Sequence, residues 1–165
     1  MVYEAERLAT LRGYGILDTP NEPDFDRLVR RVATHFGVHS ALISFIDEER
    51  QWYKARIGVE TDHVPRAISF CTHSIASGAV TVTPDARLDA RFSGNPYVTA
   101  ESGVRFYAAA PIKAPNRARI GTVCIFDPAP RTRGLSSDDK RDLAGFAEQV
   151  IALLDKRRMS TGRQA

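Results

Sequence analysis

Apolar residues recur at helical spacing toward both ends of this chain and at strand spacing between them, and each change of period marks an element boundary. Over residues 3–14, Leu8 and Leu11 share one side of a predicted helix that stops at Gly13-Tyr14-Gly15. The turn-rich stretch Ile16-Leu17-Asp18-Thr19-Pro20 follows. A second helix opens at Pro23, whose fixed φ suits a first turn, and carries Phe25, Leu28, Val29, Val32, Ala33 and Phe36 as one stripe before Gly37 closes it. Residues 41–46 and 51–57 then read as strands, and the short polar link between them makes an antiparallel hairpin. Two further apolar strands, 105–112 and 120–126, flank the turn Ala114-Pro115-Asn116-Arg117. Between the hairpins lies an irregular stretch, 58–103, with a helical piece near 71–77 and a short strand near 79–83. The last helix opens at Ser136 or Ser137, with Asp138 and Asp139 where the helix dipole favours acids, and its stripe is Leu143, Phe146, Val150 and Leu154. This order describes an α+β sandwich with an antiparallel sheet, not the strict alternation of a Rossmann-like fold.

Composition adds limits. The 165 residues are 43% hydrophobic, enough for one core, so a single domain is expected over 1–158 with a disordered basic tail at 159–165. The longest apolar runs last only a few residues, and the start has no signal-peptide core, so neither a membrane span nor export is expected. Two cysteines, Cys71 and Cys124, do not make a disulfide framework, which points to a reducing cytoplasm. The net charge of +3 does not indicate a nucleic-acid partner. Of 23 basic residues only Lys54, Lys113, Lys140 and Lys156 are lysines, and the arginines are interleaved with 20 acids rather than gathered on one arm.

Familiar chemistry is missing. Gly13-Tyr14-Gly15 begins like a dinucleotide fingerprint, but Asp18 stands where the third glycine belongs and a helix precedes it. There is no phosphate loop, no H-E-x-x-H, no C-x-x-C and no G-x-S-x-G. His35 and His39 are four apart, with Gly37 ending the helix between them. From the residues alone, nothing calls for an enzyme.

A set of short stretches in fixed order carries a family resemblance. They are Glu6-Arg7-Leu8, Tyr14-Gly15-Ile16-Leu17-Asp18-Thr19, Phe25-Asp26-Arg27-Leu28, Ala41-Leu42-Ile43-Ser44 and Arg50-Gln51-Trp52-Tyr53-Lys54. Ser69-Phe70-Cys71-Thr72-His73-Ser74-Ile75, Asp85-Ala86-Arg87, Arg91-Phe92, Asn95-Pro96, Arg105-Phe106-Tyr107-Ala108 and Gly121-Thr122-Val123-Cys124-Ile125-Phe126-Asp127 continue the series. Together they cover about residues 4–155 and resemble a GAF domain of the kind found beside bacterial histidine kinases and diguanylate cyclases. The resemblance implies a central antiparallel sheet of five or six strands, with the terminal and second helices on one face. The irregular middle would enclose a pocket on the other face. Such pockets take cyclic nucleotides, tetrapyrroles, haem or small metabolites, and the terminal helices pair in dimers that pass a signal to an output domain. The chain departs from the cyclic-nucleotide signature, since Asn95 is followed by Pro96 and not by lysine. The phytochrome Asp-Ile-Pro motif is absent. The cysteine cluster of free methionine-(R)-sulfoxide reductase is also not reproduced by two cysteines in other surroundings.

The candidate ligand-binding residues are Trp52, Phe70, Cys71, His73, Asp85, Asn95, Arg105, Phe106 and Tyr107, with no catalytic or metal-ligating residue and no cofactor identified. Each also has a plainer reading. Phe70, Cys71 and Ile75 pack a short helix onto the sheet, or Cys71 at a helix start, beside His73, is an activated thiol. Trp52 walls the pocket or staples the sheet. Asp85 and Asn95 are polar anchors of a ligand, or Asp85 caps the turn after it. Arg105 grips an anion or lies exposed at a strand end. Phe106 and Tyr107 point to opposite faces, one to the helix-covered core and one to the pocket. Cys124 shares a face with Thr122 and Phe126 and is expected to pack the core.

The expected function is a non-catalytic sensing or regulatory domain in bacterial signalling, binding an unidentified small molecule, with a histidine kinase or diguanylate cyclase as output partner. Two alternatives stand beside it: a thiol-based redox sensor or sulfoxide reductase-like enzyme using Cys71, with Cys124 as resolver, and a dimerisation scaffold without ligand. A homodimer through the terminal helices is expected if Leu8, Leu11, Phe146, Val150 and Leu154 leave an apolar patch uncovered.

Overall fold

The computed structural model describes residues 2–162, with side chains described for residues 3–160. Helices α1 (Val2–Gly13) and α2 (Pro23–Phe36) precede the hairpin of β1 (Ser40–Ile46) and β2 (Arg50–Ile57). The middle contains β3 (His63–Pro65), α3 (Phe70–Ser74), β4 (Thr81–Thr83) and α4 (Pro96–Thr99), with 3-10 turns at Arg66–Ile68 and Ala86–Leu88. The second hairpin, β5 (Phe106–Lys113) and β6 (Arg119–Asp127), leads into α5 (Ser137–Gly162). Residues 159–162, expected in a loose tail, continue this helix; residues 163–165 lie outside the described residues. β3, α4 and both 3-10 turns carried no sequence signal long enough to register.

All pairings in the six-stranded sheet are antiparallel, in the order β3-β2-β1-β6-β5-β4. β1 and β6 join the two hairpins at its centre, and they approach so closely at one point that only glycine fits. A Cβ on Gly121 would stand 2.0 Å from the Ser44 carbonyl oxygen.

Helix α2 follows its pattern closely. Pro23 opens it, Gly37 ends it at φ 63°, and Phe25, Leu28, Val29, Val32 and Phe36 are buried. At roughly 1.5–3 kcal/mol per fully buried large apolar side chain, that stripe is the main reason the helix stays on the sheet. Alternation divides the sheet residues between two cores. Ile43, Phe45, Trp52, Phe106, Val123 and Ile125 meet α1, α2 and α5 on one face. Leu42, Ile46, Tyr53, Tyr107 and Cys124 meet the irregular middle on the other. Leu8, Leu11, Phe146, Val150 and Leu154 are at most 8% exposed within the single chain. The apolar patch on which the dimer expectation rested is therefore absent, because the sheet and the neighbouring helices already cover it.

The β1–β2 register slips between Ile43 and Ser44, which pair with Ala55 and Tyr53, so Lys54 is the extra residue of a bulge. Two positions on from Trp52, Lys54 faces the helices, and its side chain is fully buried. Its Nζ donates to Thr19 Oγ1 at 2.8 Å, Pro20 O at 2.5 Å and Glu22 Oε2 at 2.6 Å. Arg157 of α5 donates to the same Glu22 oxygen at 2.9 Å.

Candidate functional site

The face of the sheet away from the long helices is the floor of a cavity of about 200 Å³. Leu42, Gln51, Tyr53, Tyr107, Cys124 and Phe126 rise from β1, β2, β5 and β6. Phe70 and Cys71 of α3 close one side, and Val59, Val64, Ile68, Tyr97 and Val104 form the remaining apolar wall. No lysine, arginine, aspartate or glutamate lines it. Tyr53 is 7% exposed, and its hydroxyl has no hydrogen-bond partner among the described residues. Burial pushes its phenol pKa well up, so it remains a neutral donor at ordinary pH.

Beneath this floor runs a buried chain of polar side chains. The backbone N–H of Thr72 donates to Ser69 Oγ at 3.3 Å, and Ser69 Oγ donates to Gln51 Oε1 at 2.6 Å. Gln51 Nε2 donates to Ser44 Oγ at 2.8 Å, Ser44 Oγ lies 3.2 Å from Thr122 Oγ1, and Thr122 Oγ1 donates to Cys71 Sγ at 3.0 Å. An amide nitrogen only donates, and each hydroxyl has one proton, so every bond from Gln51 onward points toward the sulfur. Tyr107 Oη lies 3.0 Å from Cys71 Sγ and 2.8 Å from Ser74 Oγ. Burial pushes the Cys71 thiol up. The polar groups around the sulfur, Cys124, Thr122, Tyr107 and Gln51, outweigh that and leave its pKa below the ordinary value. Cys124 is driven the other way, first by the neighbouring Cys71 and then by burial.

Three of the nine candidate residues, Phe70, Cys71 and Tyr107, line the cavity. Phe70 stacks on Phe92 at 4.5 Å, and both rings meet Tyr107 edge-on. The other six lie elsewhere. Trp52 and Phe106 face the helix-side core, because alternation gives the cavity to their neighbours Gln51, Tyr53 and Tyr107. His73 is exposed and edges against Phe92, so it adds no charge beside the thiol. Asp85 caps the 3-10 turn by accepting from the Arg87 N–H and pairs with the Arg87 guanidinium. Asn95 caps α4 through Tyr97 N and donates to Ile68 O. Arg105 meets no anion; it donates to the carbonyls of Val98, Ala100, Glu101 and Val104, tying the loop that carries Tyr97. Cys124, expected to pack the core or to resolve an oxidised Cys71, is part of the cavity floor.

Sequence reasoning missed Tyr53, Gln51, Ser44, Ser69 and Thr122. The available signal was a single polar residue inside an apolar strand at Ser44 and again at Thr122, and strand pairing sets these two opposite each other. Elsewhere, His35, Asp139 and Asp142 bring ligand atoms within 4.8 Å of one another at the surface. There, His35 Nε2 already pairs with Asp142 at 3.0 Å.

Comparison with known proteins places this geometry. The GAF domain family matches residues 22–154. A cyclic di-GMP phosphodiesterase of Pseudomonas aeruginosa is 36% identical over 149 residues, covering 90% of this chain and 25% of that protein. The chain thus spans about a quarter of that relative's length. Among solved structures, the GAF domain of an Acinetobacter phosphoenolpyruvate-protein phosphotransferase superposes with TM-score 0.67 at 17% identity, covering 95% of this chain and 98% of its own. A free methionine-R-sulfoxide reductase of Neisseria meningitidis, solved with its substrate, gives TM-score 0.67 at 13% identity, covering 96% of this chain and 91% of its own. At such identities these two show the fold alone. The expectation that the chain is no enzyme is overturned here: the relative at 36% identity is named as a phosphodiesterase, and proteins of the same fold are named as reductases. Among the described residues, no helix is long and apolar enough to cross a membrane. Because the match runs from the start of α2 through the whole sheet into α5, the chain belongs to the GAF domain family.

Proposed function

We propose that this domain senses a small neutral organic molecule in the cavity above β1, β2, β5 and β6, and that occupancy regulates cyclic di-GMP turnover. The observation that carries the ligand class is a cavity of about 200 Å³ without a charged side chain, into which Tyr53 offers a hydroxyl with no hydrogen-bond partner among the described residues. A phosphate-bearing ligand entering it would lose its hydration without meeting a cation. A cavity of about 150 Å³ with apolar walls holds benzene, so this one suits a slightly larger ring system with one hydrogen-bonding group. The signalling output rests on the relative named as a cyclic di-GMP phosphodiesterase.

Thermal unfolding of the purified chain with indole, and separately with cyclic GMP, tests the ligand class. Indole should raise the melting temperature saturably, with affinity weakened about three- to tenfold in Tyr53→Phe if the hydroxyl accepts or donates one neutral hydrogen bond. Stabilisation by cyclic GMP and none by indole would overturn the reading.

A further inference from the structure

We propose that Cys71 and Cys124 form an oxidation site for hydrogen peroxide, in which the two thiols are joined reversibly as a disulfide within the cavity floor. This inference is independent of which organic ligand the cavity takes. These are the chain's two cysteines, they come from α3 and from the central strand β6, and both line the same cavity. They are 1% exposed each, so bulky reagents are kept out, whereas hydrogen peroxide is close to water in size. Cys71 Sγ lies 3.0 Å from Thr122 Oγ1 and 3.0 Å from Tyr107 Oη, and Cys124 follows Thr122 on the same face of β6, in one buried cluster with Cys71 and Tyr107.

The surroundings distinguish the two sulfurs. The donor chain from Thr72 N–H through Ser69, Gln51, Ser44 and Thr122 ends on Cys71 Sγ, and Tyr107 Oη stands 3.0 Å away on another side. Hydrogen bonds aligned head to tail polarise one another, so the last donor favours negative charge on Cys71. Cys71 is therefore the attacking thiol and Cys124 the resolving one.

In the first step the Cys71 thiolate attacks one peroxide oxygen. An S–O bond forms, the O–O bond breaks, and the departing hydroxide takes up the proton released from the thiol as water. The sulfur is oxidised to sulfenic acid and the peroxide is reduced. In the second step Cys124 Sγ attacks the sulfenic sulfur, the S–S bond forms and the S–O bond breaks. The hydroxide leaves with the Cys124 proton as a second water. Two low-molecular-weight thiols reverse the change by exchange, becoming a disulfide themselves. Formation of the bond takes Cys71 Sγ from Thr122 and Tyr107, which alters the cavity floor.

The test is differential alkylation of the purified chain before and after hydrogen peroxide, with peptide mapping and intact mass. The expected result is loss of both free thiols, a single Cys71–Cys124 linked peptide, a mass lower by two hydrogens, and full recovery with dithiothreitol. Cys124→Ser should accumulate a sulfenic acid on Cys71, trapped by dimedone once the chain is unfolded in urea, and Cys71→Ser should leave Cys124 free under the same exposure. Two free thiols after a dose that fully oxidises glutathione would overturn the proposal, as would a disulfide only between chains. Because the unmodified chain already decides the matter, a variant that fails to fold does not rescue it. Indole binding measured on the same samples keeps the two proposals separable.

Discussion

Replacing Glu22 by glutamine should destabilise the domain more than removing the lysine it faces. Lys54 is fully buried on the helix side of β2, and Glu22 is its carboxylate partner at 2.6 Å. Burial lowers the Lys54 pKa by more than Glu22 restores, whereas Glu22, 30% exposed and held by both Lys54 and Arg157, has its own pKa lowered. The ammonium is thus the costly member. Glu22→Gln keeps the shape and strands that buried charge among neutral acceptors, at a cost of about 3 kcal/mol, the low end for breaking a buried pair because Glu22 is partly solvated. Lys54→Met removes the costly charge. It leaves Thr19, the exposed Pro20 carbonyl and Glu22, which keeps Arg157 at 2.9 Å. Water can reach these acceptors, so the expected loss is about 1 kcal/mol. The double variant should resemble Lys54→Met alone, giving a coupling of about 3 kcal/mol between the two positions. Urea unfolding with unchanged m-values measures all three. Equal costs that simply add, or a larger loss for Lys54→Met, would refute the reasoning that Lys54 is an expensive buried cation.

Other outcomes follow from single contacts. Glu4 has its pKa lowered to about 2 from 4.5, mainly by its hydrogen bond with Arg7 and against the effect of burial. Its contribution is fully present above pH 4.5 and is lost as pH falls toward 2, so the stability gap between the protein and Glu4→Gln should close over that window in urea titrations. Gly121→Ala would press a methyl group onto the Ser44 carbonyl and the Phe45 Cα, both main-chain atoms, and should cost about 3 kcal/mol or more in thermal or urea unfolding. Arg105→Ala frees four carbonyls and should speed hydrogen exchange over residues 97–104 while leaving β1 and β6 protected.

Where a physical period runs over several turns or a whole strand, the chain announces its structure. The α2 stripe with its closing Gly37 and the pairing of the two hairpins were legible for that reason, as was the split of Phe106 and Tyr107 between faces. Alternation shows which residues share a face but not which face is which, and so Trp52 was placed at the cavity although it belongs to the core. The bulge at Lys54 is a register event, invisible until β1 and β2 are paired. Asp85 and Asn95 act on backbone groups within a few residues or across a loop, roles that a polar letter in a turn also suggests for ligand contacts. The donor chain to Cys71 joins four segments, and each of its members alone is an unremarked serine, threonine or glutamine.

The hold of Arg105 on its loop has a consequence for how this domain can change over generations. Its guanidinium meets four backbone oxygens and no side chain. Every amino acid supplies that oxygen, so the anchor is indifferent to the identities of residues 98, 100 and 101 as long as the path of the chain is kept. Tyr97 and Val104, which face the cavity from this stretch, are held in place by a contact that does not read them. Substitution there can alter what the cavity accepts without dismantling its wall. Preference for a ligand can therefore drift quickly while the frame around it stays fixed by one arginine.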